Sequence, residues 1–201
     1  TEYYAHISDS HDSEKLIDHL QLTAELAAVN GSSFGHEKVC RQLGLLHDIG
    51  KRTKNFQKVL QHKLCKQDHA IVAGTFYASH GLVEDKWMRE HMALVMACHH
   101  SYLYSDSRAF ASRLFKESNL FDFTGCPTVT NDSNKTASVS DLKEYQAVCD
   151  YVEKNNLLLE ISDNDYFDVS NMSLNIRMFY TRMLFSCLVD ADYSATAEYM
   201  A

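Results

Sequence analysis

One proline, Pro127, and seven glycines are all the strong chain breakers in 201 residues. Strand signals are weak, whereas apolar residues return at three-and-four spacing, so the chain is expected to be all-α. The six cysteines, at 40, 65, 98, 126, 149 and 187, include no CxxC pair. That excludes a zinc knuckle or dithiol redox motif and leaves reduced thiols as the simplest reading. No run reaches the roughly 18 apolar residues of a membrane helix, and "TEYYAHISDS" lacks the pattern of a signal peptide. A soluble, cytoplasmic protein without a membrane partner is expected. The formal net charge of -8 excludes the broad basic surface with which proteins usually track nucleic acid.

The length suits one domain, residues 1–201, with a substantial core. Helices are expected over about 13–29, with Ser13 as cap, and over 36–49, 69–80 behind an Asp68 cap, 84–98, 106–118, 140–159 and 172–199. Residues 51–67 read as a locally basic linker. The Thr-, Ser- and Asn-rich stretch around 121–140 reads as a long irregular surface loop. Phe179, Met183 and Phe185 on the last helix are expected in the core.

The most informative stretch is "LGLLHDIGK", residues 43–51. His47 and Asp48 close an apolar face made by Val39, Cys40, Leu43 and Leu46, so both are expected to point inward. A buried carboxylate is costly unless cations or hydrogen bonds replace its hydration, and a metal ion does so better than one imidazole. Lys51 follows at helical spacing, and Gly50 suits a helix stop. Further candidate ligands are His19, His69, His99 with His100, and Asp190 or Asp192. Singly each has a plain structural reading: His19 as a hydrogen-bonded core residue, His99 and His100 as a helix end, Lys51 as a surface charge. Together they supply imidazole and carboxylate donors suited to first-row transition metals, with a carboxylate able to bridge two ions. Two ions roughly 3.5–4 Å apart can clamp a phosphate ester, generate hydroxide from water and stabilise the leaving oxygen. Of the remaining histidines, His91 shares a helical face with Val95 and His99, where core packing is expected.

The pieces "YYAH" (3–6), "DHL" (18–20), "LGLLHDIGK" (43–51), "FQKVL" (56–60), "DHA" (68–70), "HH" (99–100) and "LFSCLVDADY" (184–193) occur in that order. This pattern resembles the HD metal-dependent phosphohydrolases, and more specifically the HD nuclease domain of the CRISPR-associated helicase-nuclease of type I systems. The resemblance implies an HD-domain helical bundle that cuts single-stranded DNA with two divalent transition-metal ions: manganese, iron, cobalt or nickel. It implies that Asp48 bridges the ions and that His47 is a ligand. His19 would complete one site, His69, His99 and His100 would surround the other, and Lys51 would face the phosphate. The family's "AD" followed four residues later by a small hydroxyl residue matches Ala191-Asp192 and Thr196, favouring Asp192 over Asp190. Two departures stand out: Ile7 where the family often has serine after "YAH", and Ser101-Tyr102 in place of a small glycine-containing turn.

The resemblance also implies a superfamily 2 helicase domain or subunit and a CRISPR RNA-guided surveillance complex as partners. No "GxxxxGK[ST]" loop occurs here. The nuclease is therefore expected as a separate subunit or a domain of a longer protein, with the helicase supplying the DNA track that an acidic chain lacks.

Overall fold

The computed structural model describes residues 2–8, 12–62, 68–101, 103, 139–169 and 171–201. Among these, the all-α expectation holds: seven α-helices surround one core, and a short ribbon is the only sheet. The helices are α1 (Leu16–Ser32), α2 (Glu37–Leu46), α3 (Lys54–Leu60), α4 (Ala70–His80), α5 (Lys86–Cys98), α6 (Val139–Lys154) and α7 (Leu174–Met200). The ribbon pairs β1 (Tyr4–His6) antiparallel with β2 (Glu14–Lys15), setting Tyr4 opposite Lys15 and His6 opposite Glu14.

Packing follows from where bulk is missing. A Cβ on Gly44 would stand 2.5 Å from the Ala24 Cα, so glycine lets α2 lie directly against α1. Their shared face buries Leu16, Leu20, Ala24 and Ala27 against Val39, Cys40 and Leu43. Helix α5 contributes Met88, Met92 and Met96 to the same core, and α7 closes it with Leu184, Leu188 and Ala191. Asp68 caps α4 as expected, accepting from the Ala70 and Ile71 amides at 3.1 and 3.3 Å.

Several boundaries differ from the sequence reading. The first helix begins at Leu16 because residues 14 and 15 pair in the ribbon, and Ser13 does not cap it. Helix α2 stops at Leu46, and His47 and Asp48 lead into a 3-10 turn at Ile49–Arg52. The basic linker contains α3, capped by Thr53 and anchored by buried Phe56. Helix α6 ends at Lys154, where Asn156 takes left-handed backbone at φ +51°. Gln42 then binds the returning chain through the Leu157 carbonyl and the Leu159 amide. Phe179, expected in the core, is 65% exposed, because the first turns of α7, with Leu174 and Ile176, face outward; Met183 and Phe185 are half-buried. The helix expected at 106–118 and residues 121–138 of the expected loop lie outside the described residues.

Candidate metal centre

Six segments deliver eight polar side chains to one end of the bundle: His19 from α1, His47 and Asp48 after α2, Lys51 from the 3-10 turn, His69 before α4, His99 and His100 after α5, and Asp192 from α7. Asp48, fully buried, is the hub. Its Oδ1 lies 2.9 Å from His69 Nε2 and 3.2 Å from His99 Nε2. Its Oδ2 lies 2.7 Å from Lys51 Nζ, 3.3 Å from His19 Nε2 and 3.4 Å from His47 Nε2. Asp192 Oδ1 stands 3.3 Å from Nε2 of both His19 and His47, and His100 Nε2 stands 3.0 Å from His69 Nε2.

The donors sort into an inner group, His19, His47, Asp48 and Asp192, and an outer group, Asp48, His69, His99 and His100. Within each, the ligand atoms lie within 4.8 Å of one another. The inner group is buried throughout, whereas His69 is half-buried and His100 exposed. Of the residues the sequence nominated as ligands, only Asp190 stays outside. It is exposed and accepts a 3.0 Å hydrogen bond from Asn30 Nδ2, joining α7 to α1.

Local structure aims the rings. A helix C-terminus leaves carbonyls without amide partners. His47 Nδ1 donates to the Gly44 carbonyl at 2.8 Å, and His99 Nδ1 to the Met96 carbonyl at 2.7 Å. Each ring thereby turns Nε2 towards Asp48, as metal-binding histidines do. Gly50 serves the site rather than a helix stop: a Cβ there would stand 2.2 Å from the His69 carbonyl oxygen. Gly50→Ala is therefore expected to push His69 outward, costing about 1–3 kcal/mol and weakening the outer site while the inner one still fills. Metal titration of the variant checks this, and an unchanged outer site would show that His69 is not held through Gly50.

The donor set fits metal. His19 Nδ1 and Nε2, both Asp48 oxygens and His99 Nε2 are buried without an aligned hydrogen bond, despite lying 2.7–3.4 Å from opposite partners. Within each group the donor atoms lie within 4.8 Å of one another, close enough to share one cation. Leaving buried polar groups unaligned is costly. A cation accepting those lone pairs relieves the cost, and imidazole with carboxylate suits first-row ions.

Protonation divides the two groups. Burial alone would lower His19, but Asp192, Asp48 and Glu14 reverse this and raise it to about 11. His47 is raised to about 9 against its burial, chiefly by Asp48 and Asp192. Burial would raise Asp48, yet Lys51, His47 and His69 hold it well below the usual carboxylate range. Asp192 is likewise held low against its burial, by His47 and His19. In the outer group, burial and neighbouring imidazoles push His100 down to about 4, and His99 is also lowered, mainly by burial. His99 and His100 are thus poised as neutral ligands, whereas ligation by His19 and His47 must displace protons.

A pH prediction follows for folding. Raised His19 and His47 stabilise the fold fully below their ordinary value of 6.5, and this is lost as pH climbs through about 9 and then about 11. Depressed Asp48 and Asp192 contribute above 3.8 and lose that contribution only in acid. The Tm of metal-free protein should therefore fall from pH 6.5 to 9. With manganese it should rise over that window, as proton competition weakens. Thermal scans with chelator and with manganese test this, and parallel profiles would contradict it.

The sequence reading gave no role to His6 or Glu14, which form a third cluster with His19. His6 lies in the quoted "YYAH" piece, and Glu14 precedes His19 by five positions. His91 stacks on Trp87 at 3.9 Å and donates to its carbonyl, consistent with core packing. His36 donates to the Phe34 carbonyl and accepts from the Phe167 amide. Among the described residues no helix is long and apolar enough to cross a membrane. No protein-family model matches the chain, and no curated protein is significantly similar to it.

Proposed function

We propose that this chain is a two-metal nuclease that hydrolyses phosphodiester bonds of single-stranded DNA, the activity its motifs imply, in CRISPR interference. The observation that supports this most is Asp48: one buried carboxylate with histidines gathered at each oxygen, the arrangement a bridging ligand requires. When bound, two divalent ions supply Lewis acidity to the phosphate and activate water at neutral pH. The protein's part is to hold, orient and shield. His19, His47 and Asp192 close the inner position, whereas His69, His99 and exposed His100 form the side a phosphate reaches first. Lys51, 5% exposed and fixed on Asp48, places a preorganised positive charge beside the developing negative one.

A net charge of -8 suits a domain that cuts a strand delivered by others. The partners proposed are a superfamily 2 helicase and the RNA-guided surveillance complex. Tight DNA binding by the isolated chain at high salt would contradict that division of labour. The function is tested with metal-stripped protein resupplied with manganese, cobalt, nickel or iron. Labelled single-stranded DNA is the substrate, with free and cyclic nucleotides as competitors. Metal-restored cutting of the polymer is expected. Hydrolysis confined to small nucleotides would move the activity to nucleotide phosphohydrolysis, and no hydrolysis with any metal would favour a non-catalytic partner-binding module.

A further inference from the structure

Behind the inner group lies a relay of side chains. His6 and Glu14 face each other across the ribbon, with His6 Nδ1 2.6 Å from Glu14 Oε2. The other oxygen, Glu14 Oε1, stands 3.3 Å from His19 Nδ1, within reach of that nitrogen though not aligned as a hydrogen bond. The Glu14 side chain is only 9% exposed. His6 is braced in turn, stacked on the Tyr199 ring at 5.5 Å.

His19 needs such a partner for a reason its neighbours do not share. His47 and His99 follow helix C-termini and give their Nδ1 protons to carbonyls three residues back. His19 lies inside the first turn of α1, where nearby carbonyls accept helical amides. No such backbone acceptor serves its Nδ1. A carboxylate on the far nitrogen of a metal-binding imidazole fixes its tautomer and raises its basicity.

We propose that Glu14 is a positioning residue for His19, accepting its Nδ1 proton so that Nε2 offers a lone pair to the inner ion, while His6 holds Glu14 in place. The proposal rests on the metal-centre reading above. It also gives the ribbon a role: its register sets His6 against Glu14 beside the start of α1.

Cobalt(II) binding to metal-stripped wild type, Glu14→Leu, Glu14→Gln and His6→Ala tests it, followed by visible absorbance and chelator competition. Thermal unfolding of the metal-free proteins reports on the fold. Glu14→Leu should weaken one of two ions by about 10–100-fold and leave the other unchanged. Glu14→Gln keeps an acceptor oxygen and should recover part of the loss, and His6→Ala should weaken the same ion less. Wild-type affinities in Glu14→Leu would overturn the proposal. So would equal weakening of both ions with no recovery in Glu14→Gln, which marks a merely structural role. A third bound ion lost in His6→Ala would make the cluster a ligand set instead. Wild-type protein that binds no cobalt would overturn the metal-centre reading itself, and the proposal with it.

Discussion

Asp48→Ala is expected to release both ions and lower single-strand cleavage by more than the roughly 10²–10³-fold that losing one preorganised group costs. The reason is its sharing: each other donor belongs to a single ion position, whereas Asp48 belongs to both. Its removal also leaves Lys51, His19 and His47 around an empty centre. Breaking a buried ion pair costs about 3–5 kcal/mol, so the metal-free variant should melt below wild type. Asp48→Asn preserves volume and separates the effects: it should lose ions and activity with less structural damage. Metal content after dialysis and cleavage gels check both variants. Full metal content in Asp48→Ala would mean that the two groups do not share this ligand.

Lys51→Met is expected to keep both ions yet lower kcat by about 10²–10³-fold. Methionine retains much of the apolar stem and removes the ammonium, whose Nζ lies 5.9 Å from the Phe56 ring centroid. The Asp48 oxygen that Lys51 contacts at 2.7 Å remains available to an ion. An effect on kcat with little change in KM marks a charge used in the transition state. A change in KM alone, erased by salt, would make Lys51 a substrate-holding residue. Unchanged kinetics would remove it from the site.

Residues that announce themselves by adjacency or helical phase were legible in the sequence. His47 and Asp48 stood out because a chargeable pair ends an apolar helix face, and both are fully buried. Asp190 and Asp192 point about 200° apart on an ideal helix, so phase sets them on different faces but does not choose between them; the resemblance of Ala191-Asp192 and Thr196 to the family pattern favoured Asp192. Asp192 meets His19 and His47, and Asp190 meets Asn30. Illegible were features whose cause is tertiary. A ribbon of five residues carries no usable periodicity, so His6 and Glu14 had no partner to suggest them. Gly50 looked like a helix stop because its close neighbour, the His69 backbone, is distant in sequence. Helix α3 was hidden by its lysines, since only Phe56 in it is buried. Phe179 looked like core because its helix is apolar, but its turn faces outward.

The central claim is that two ions share Asp48, and manganese titration of metal-stripped protein followed by electron paramagnetic resonance tests it most directly. The expected result is two bound manganese ions whose signal, at saturation, is that of a magnetically coupled pair, because one carboxylate links ions about 3.5–4 Å apart. A single bound ion, or two that give only independent six-line spectra at saturation, would contradict it.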